Sequence, residues 1–435
     1  MTSAASHADH RVYLGPAAAA PTRDVAALGG DRLAMVLICL PAIAATLLSK
    51  IGLPPLAARG IGSIFPVAYA AIGIALLAGR AAFHTQRLWM LLVVLSALGI
   101  IQVVRGEPFS ITSMMLMSAL GFTYVVCIRS HPDAGDRALD FFCNLSLFVA
   151  ACGIAQFAAQ FFVGPEIAFP IEHFVPAQYV TQLFNNFVPL AWGATTYKAN
   201  GIFMLEPSVF SQLCALGMLS ELTRGDRRGK NRPLRLATYG AAMAVSYSGT
   251  GLIVLGLCLP IYMIAHRRWD LLALCGVFAA AFVLLAEPLN LDIFAKRATE
   301  FSATGSSAYA RFVAWMGMFE HLMWPDLLRA VFGYGAGTFQ EAAAPYRAAE
   351  MAHSKILFEF GVLGGLAYFG FVFFCIFTSP APPILRLAVG AAYFMNGAYS
   401  PTVTGVALTL LLLWARPEPL TGHIERAPVV EGSRQ

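Results

Sequence analysis

Long uncharged apolar runs alternate with short polar segments along this chain of 435 residues. Phe141–Val163 and Ile61–Gly79 are two such runs, and each is apolar on every face. A helix rises 1.5 Å per residue, so about 20 apolar residues cross the roughly 30 Å hydrocarbon core of a bilayer. The pattern therefore predicts membrane-spanning helices, which lie near 33–49, 61–79, 88–104, 109–128, 141–163, 203–222, 236–265, 271–286, 354–377 and 387–415.

Two of these runs, 236–265 and 387–415, are too long for one helix. The first is interrupted by a turn-forming segment that contains Ser246 and Ser248, and the second by one that ends at Pro401. Clusters of Ser, Gly and Pro favour a turn, so each run is predicted to form two short helices. The expected fold class is an all-α polytopic membrane protein with about twelve transmembrane helices in an integral membrane domain at 32–415.

Composition agrees with this fold class. Hydrophobic residues make up 58% of the chain and charged residues 12%, against about 45–50% and about 25% in soluble domains. Runs that are apolar on every face exclude an outer-membrane barrel, whose strands alternate. The net charge of +5 resides in short loops and requires no nucleic-acid partner. None of the eight cysteines belongs to a CxxC pair, so neither a disulfide nor a zinc site is expected.

Basic residues predict the orientation. With the N-terminus in the cytoplasm, 19 of the 29 Lys and Arg residues lie on the cytoplasmic side, as the positive-inside rule requires. Residues 1–31 show no apolar signal-peptide core and are expected to form a disordered cytoplasmic tail. Residues 416–435 are expected to form a C-terminal cytoplasmic tail. The long segments 164–202 and 287–352 then face outwards, and the Ser246–Ser248 turn is expected below the outer surface, beside protein or a wet cavity.

Two features of the second outer segment suggest structure. Five large apolar residues recur at helical spacing and predict an amphipathic helix that lies on the outer leaflet or caps a cavity; they are Phe312, Trp315, Met316, Phe319 and Met323. The stretch 333–337 has Gly at its first, third and fifth positions and loosely imitates a dinucleotide-binding loop. No βαβ pattern surrounds it, so a tight turn is predicted instead.

Glu206 precedes Pro207, a residue suited to the first position of a helix. This places the carboxylate at or just inside the outer hydrocarbon boundary. One interpretation is a carboxylate favoured by the helix dipole. The other is a carboxylate that faces a substrate cavity, because ionisable groups near membrane depth are costly and usually functional.

Three further residues in the outer segments are candidates for chemistry. Arg297 and Arg311 are either solvated cations or a clamp for an anion, since a guanidinium binds phosphate bidentately and stays charged. His353 lies where the large outer segment re-enters the membrane. It is either an interfacial histidine or a general acid/base or phosphate contact.

These residues, in this order, resemble the O-antigen polymerase and O-antigen ligase superfamily of bacterial envelope glycosyltransferases. The similar pieces are Lys198–Gly201 followed by Glu206-Pro207-Ser208, and the turn at Ser246–Gly251. They continue with the outer segment that carries Arg297, Arg311 and the Gly333–Gly337 turn, and then with the helix headed by His353. Together they cover roughly residues 195–370. The Glu-Pro-Ser variant looks more like the Wzy-type exopolysaccharide polymerases, such as those that make xanthan or acetan, than the lipopolysaccharide ligases.

The resemblance implies a GT-C-like fold in the bacterial inner membrane and a metal-independent glycosyltransferase without cofactors. The donor would be a polyprenyl-diphosphate-linked oligosaccharide. The diphosphate would be held by Arg297, Arg311 and Lys198, although many relatives have Arg at the position of Lys198. Either Glu206 or His353 would act as the catalytic base. Besides this donor and the lipid bilayer, a chain-length regulator or export complex is an expected partner.

Three functions follow as hypotheses. The first is a polymerase that joins lipid-linked repeat units into an exopolysaccharide. The second is an O-antigen-type ligase that moves finished glycan from the carrier to an acceptor. The third is a transporter or lipid-linked oligosaccharide flippase, although transporters usually bind at the membrane midplane, whereas here the charge concentrates in one outer segment.

Overall fold

A computed structural model describes residues 25–106, 108–182, 184–190, 194–224, 231–269, 272–273, 301–304, 306–397 and 401–417. Arg297 and nearly all of the span predicted near 271–286 lie outside these residues, as do 1–24 and 418–435 of the two predicted tails. The first helix begins at Val25, so the last seven residues of the N-terminal segment predicted to be disordered are helical.

The described chain is mostly helical. Its α-helices are α1 (Val25–Thr46), α2 (Pro54–Ala57), α3 (Ile64–Leu77), α4 (Thr85–Arg105), α5 (Ile111–Thr123), α6 (Ala134–Val163), α7 (Pro165–Ala168), α8 (Pro170–Phe174), α9 (Pro207–Arg224), α10 (Arg232–Ser246), α11 (Thr250–Ala265), α12 (Ser307–Phe312), α13 (Ala314–Met318), α14 (Leu327–Phe332), α15 (Phe339–Ala343), α16 (Ala352–Phe377), α17 (Pro383–Phe394) and α18 (Pro401–Leu410). A 3₁₀ turn at Ala177–Tyr179 and a π-helical turn at Phe319–Met323 complete the helical elements.

Three of these helices are long and apolar enough to cross a membrane: α4, α6 and α16. Four shorter apolar helices, α3, α5, α11 and α17, accompany them. This supports a helical membrane protein. The twelve predicted spans are not reached within the part of the chain that the structure describes, because several apolar runs form helices shorter than a bilayer is thick.

Each of the two over-long runs forms two short helices, as predicted. In the first, α10 ends at Ser246 and α11 begins at Thr250. Tyr247 between them lies in the left-handed region, with a φ of 46°, and ends α10. In the second run, α17 ends at Phe394 and α18 begins at Pro401.

A small sheet departs from the all-α expectation. Its strands are β1 (Ala81–Phe83), β2 (Val126–Ser130) and β3 (Ala415–Pro417). β1 pairs with β2 antiparallel, with Ala82 opposite Cys127, and β2 pairs with β3 parallel, with Arg129 opposite Arg416. The predicted span near 109–128 therefore ends early, at Thr123. The reason is long-range: the buried Trp414 indole donates to the Thr123 carbonyl at 2.8 Å, and β3 follows directly.

The main core contains side chains from nearly all the long helices, and α9 lies near its centre in contact with α6, α10, α11 and α17. α9 begins at Pro207, as predicted. At its other end Arg224 donates to Asp136 at 2.6 Å and to Asp140 at 2.9 Å, both in the first turns of α6. These ion pairs fix the basic end of α9 against α6.

The predicted amphipathic helix is broken into three pieces, α12, α13 and the π-helical turn. Val313 interrupts it with a φ of −119°. Its apolar face also differs from the prediction, because Met316 is 43% exposed whereas Met318 is fully buried. The buried residues form a second, smaller core, which consists of Met318, Phe319, Met323, Phe339, Ala343 and Phe358. The segment therefore packs on the chain's own residues.

The Gly333–Gly337 segment is a tight turn, as predicted, with positive φ at all three glycines. It docks onto a break in α16 at Gly361, whose φ of 68° and ψ of −174° are not helical. The Tyr334 and Gly335 amides donate to the Phe358 and Glu359 carbonyls at 2.8 Å each. The turn thus satisfies carbonyl groups that the broken helix leaves without partners.

Candidate functional site

Glu206 stands directly before the first turn of α9, and three donors surround its carboxylate. The Ser208 hydroxyl donates to Oε2 at 2.8 Å, the Asn185 amide to Oε1 at 3.3 Å, and Nη2 of Arg311 to Oε2 at 2.7 Å. The side chain is partly buried, with 15% of it exposed. The carboxylate thus lies at a helix N-terminus and also lines two cavities.

Arg311 lies in the last turn of α12, which Ser306 caps by accepting from the Tyr309 amide at 3.0 Å. Its side chain is 19% exposed, and Nη2 also approaches the Ser208 hydroxyl at 3.5 Å. A partly buried ion pair of this kind is less screened by solvent than a surface pair. Arg311 and Glu206 thus form the charged centre of the candidate site.

Two cavities meet at this ion pair. The larger has a volume of about 520 Å³ and the smaller about 210 Å³. Both are lined by Glu206, Ser208 and Arg311. The pair therefore stands between two spaces, each able to hold part of a ligand.

The larger cavity is also lined by two cations that were not among the predicted site residues. Arg59 lines it, is exposed, and forms no ion pair with any residue that the structure describes. Lys355 lines it too, with Nζ 2.7 Å from Glu350 Oε1 and 3.5 Å from Glu359 Oε1. The positions of these two cations depend on how distant segments pack.

The smaller cavity is lined by Lys198 and by the turn between α10 and α11. Ser248 lines it, and its hydroxyl lies 3.1 Å from that of Thr250. Ser246 does not line it: this residue is fully buried, donates to the Met243 carbonyl at 2.6 Å and accepts from the Ser248 amide at 3.3 Å. Of the two serines, one faces the cavity and the other shapes the turn.

The turn is fastened to the start of α9. The Thr250 hydroxyl donates to the Ser208 carbonyl at 2.8 Å, and the Ser211 hydroxyl donates to the Ser248 carbonyl at 3.2 Å. A side chain at Gly251 would overlap the Ser211 backbone, so only glycine permits this approach. The predicted Ser-Gly turn is therefore part of the wall around Glu206.

A buried polar network holds the segment that leads into Glu206. Lys50 forms an ion pair with Glu172 and donates to the Ile202 carbonyl at 2.6 Å. The Gln156 side chain donates to Asn200 at 3.0 Å and accepts from the Asn200 amide at 3.0 Å. Burial lowers the pKa of Lys50, which lies four residues beyond α1, to about 8 although Glu172 opposes the shift.

His353 lies apart from this centre. It is the second residue of α16, and its ring packs 5.3 Å from the Trp315 ring and 6.0 Å from the Phe394 ring. Its Nδ1 is 3.3 Å from the Phe394 carbonyl. His353 lines neither cavity. The structure therefore brings Glu206, Arg311, Lys198 and Ser248 together and leaves His353 outside, while Arg297 lies beyond the described residues.

No three His, Cys, Asp or Glu side chains among the described residues are grouped so that they could hold a metal ion. The polar lining of the two cavities consists instead of basic, carboxylate, hydroxyl and amide groups. Such a lining suits an anionic, hydroxyl-rich ligand.

Fold and apolar helices together define a helical membrane protein. Comparison with protein-family models, with curated proteins and with solved structures finds no match.

Proposed function

We propose that this protein is a polysaccharide polymerase that joins polyprenyl-diphosphate-linked oligosaccharide repeat units during exopolysaccharide biosynthesis. It would work at the periplasmic face of the bacterial inner membrane, with about twelve spans and both termini in the cytoplasm. The observation that carries the proposal is the Arg311–Glu206 ion pair between two cavities. It supplies a cation and a carboxylate at the point where two ligands would meet.

The reaction needs both groups. A hydroxyl of the acceptor sugar attacks the anomeric carbon of the donor, and the bond from that carbon to the diphosphate oxygen breaks. The hydroxyl proton passes to a base, and the diphosphate leaves with increased negative charge. Positioned cations stabilise such a leaving group, and a base within hydrogen-bond reach of the hydroxyl contributes about 10²–10⁴-fold.

Glu206 is the base in this proposal. Its position supports the choice, since it lines both cavities whereas His353 lines neither. We assign the diphosphate to the larger cavity, where Arg59 adds a second cation to Arg311 and Lys355 lies beside Glu350. The acceptor hydroxyl then enters from the smaller cavity, where Lys198 would contact a saccharide. Arg297 remains a predicted ligand of the diphosphate, and this prediction rests on the sequence alone.

The test uses purified full-length protein in nanodiscs with synthetic polyprenyl-diphosphate repeat units, and products are separated by length. We expect multimers to form on the carrier lipid. Arg311→Ala should reduce the rate by at least about 10²-fold, the typical loss for one preorganised donor. Arg347→Ala is the matched control, because Arg347 is an exposed cation of the same outer segment that lines neither cavity.

Other products would overturn the proposal. Transfer of a preformed glycan to a different acceptor, without chain growth, would indicate the ligase. Movement of the lipid-linked unit across the bilayer with no new glycosidic bond would indicate a flippase. Equal multimer yields from Arg311→Ala and Arg347→Ala would remove the role assigned to the ion pair.

A further inference from the structure

A third cavity, of about 420 Å³, lies at the opposite end of α4 from the candidate site. His84, Thr85, Gln86 and Arg87 line it at the N-terminal end of α4, and Arg416 lines it from β3. Arg105, at the other end of α4, contacts the Gly335 turn beside the first site. The 21 residues of α4 separate the two ends by about 30 Å.

The lining of this cavity is basic. Arg87, Arg416 and His84 contribute to it, and no Asp or Glu appears among the lining residues that the structure describes. Neither arginine forms an ion pair with any described carboxylate. An arginine that is buried without a carboxylate is costly unless another anion compensates it.

Arg87 is the strongest indication of an anion site. It is only 3% exposed, and its Nη1 donates a long hydrogen bond of 3.4 Å to the Tyr124 carbonyl. Its Nε and the Nδ1 of His84 are buried and have no hydrogen-bond partner among the described residues. Buried polar atoms are almost always satisfied, so these two are available to a polar ligand that enters the cavity.

The backbone adds further donors. The first amides of an α-helix have no partner inside the helix, and His84 at the N-cap gives them no side-chain hydrogen bond. Such a helix end favours an anion with several oxygens. His84, Arg87 and Arg416 all line the cavity. Burial lowers the pKa of His84, and the charges of Arg87 and Arg416 lower it further.

The surroundings place this cavity near the surface of a bilayer. Trp89, two residues after Arg87 on a helix long enough to span, is 64% exposed, and Val93 is 65% exposed. Tryptophan is enriched at the level of the lipid headgroups, and the apolar residues beyond it face the acyl chains. The basic cavity therefore lies next to the layer where lipid phosphates are found.

We propose that this cavity binds a phosphate group, held by Arg87, Arg416 and the N-terminal amides of α4. The phosphate belongs either to an anionic phospholipid headgroup or to a small soluble phosphate compound. A phosphate suits the site because two guanidinium groups and a helix terminus can each bind different oxygens of one anion. The site is separate from Glu206 and Arg311 and does not depend on the function proposed for them.

The experiment compares the full-length protein with Arg416→Gln and Arg87→Gln. In detergent, inorganic phosphate is titrated while the unfolding temperature is followed. In a second arm, retention of phosphatidylglycerol is counted by native mass spectrometry. We expect the wild type to bind at least one probe, and each variant to bind it about tenfold or more weakly, the loss that corresponds to about 1.4 kcal/mol. Binding of phosphatidylglycerol alone identifies a headgroup, and binding of inorganic phosphate identifies a soluble ligand.

Arg129→Gln is the matched control, since Arg129 is an exposed arginine of the same sheet that does not line the cavity. It should bind as the wild type does. Arg416 is exposed, so its replacement keeps the test valid even where Arg87→Gln fails to fold. Equal binding of either probe by the wild type and Arg416→Gln, or binding of neither probe by the wild type, would overturn the proposal.

Discussion

Nη2 of Arg311 lies 2.7 Å from Oε2 of Glu206, although 105 positions separate the two residues in the sequence. Each group restrains the other. The carboxylate neutralises the guanidinium that would hold a diphosphate, and the guanidinium occupies the carboxylate that would take a proton. An arriving diphosphate must therefore compete with Glu206 for Arg311, and success in that competition would leave Glu206 able to accept a proton.

This relationship predicts opposite effects on binding and turnover. Glu206→Gln removes the competing charge, so a non-hydrolysable polyprenyl diphosphate should bind about twofold to fivefold more tightly, as expected for the loss of one partly exposed pair. Multimer formation should nevertheless fall by about 10²–10⁴-fold because the base is gone. Arg311→Ala should weaken both. Binding by calorimetry and product length on the same preparations check this, and weaker diphosphate binding by Glu206→Gln would contradict it.

His353 gives a second prediction, which opposes the role that the family resemblance implies. Its ring packs between Trp315 and Phe394 and lines neither cavity. His353→Phe keeps an aromatic ring there and removes both nitrogens. We expect multimer formation within about threefold of wild type, far from the loss that accompanies removal of a general base. A loss as large as that of Glu206→Gln would return His353 to the list of catalytic residues.

The docking of the glycine turn on α16 predicts a large effect of one methyl group. Gly361 has a φ of 68° and a ψ of −174°, a region open to glycine almost alone. A side chain there would also overlap the Val331 carbonyl. Gly361→Ala should destabilise the protein by about 1–3 kcal/mol from backbone strain, with more from the overlap. Thermal unfolding measures the effect.

Gly370→Ala in the same helix is the control for that measurement. No atom lies within 4 Å of the position that its new methyl group would occupy. Helix propensity then favours alanine by up to about 1 kcal/mol. Equal unfolding temperatures for the two alanine variants would show that α16 tolerates a side chain at its break.

Lys50 predicts a pH dependence. Burial lowers its pKa from 10.5 to about 8 in the folded protein, and the unfolded chain keeps the ordinary value. As the pH rises from about 8 towards 10.5, the folded state has lost this proton while the unfolded state still binds it. Stability contributed by this group therefore increases with pH over that window.

Lys50→Met isolates this contribution. The variant should be less stable at every pH because Glu172 loses its partner. The informative quantity is the difference in unfolding temperature between wild type and variant, which should grow in favour of the wild type as the pH rises from about 8 to about 10.5. A difference that stays constant across this window would contradict the lowered pKa.

The sequence predicted those features that depend on local pattern. The start of α9 at Pro207, the breaks in the two over-long runs and the tight turn at Gly333–Gly337 follow from residue types whose backbone preferences are strong. Other predictions were wrong where contacts with distant residues determine the local secondary structure. The strand β2 replaces the end of a predicted span because Trp414 and β3 pair with it from the far end of the chain.

The candidate site shows the same difference between what local sequence predicts and what long-range contacts determine. Glu206 and Arg311 could be chosen from the sequence by their chemistry and position, Ser248 as part of a turn, and Lys198 through the family resemblance. The sequence could not predict that these four residues line two adjoining cavities. It also could not predict that Arg59 and Lys355 line the larger cavity, or that His353 lies away from Glu206. Hydropathy is summed over neighbours along the chain, so it determines which segments are helical and apolar. Contacts between helices depend on side-chain shape and on hydrogen bonds between residues a hundred or more positions apart, and these only the tertiary structure decides.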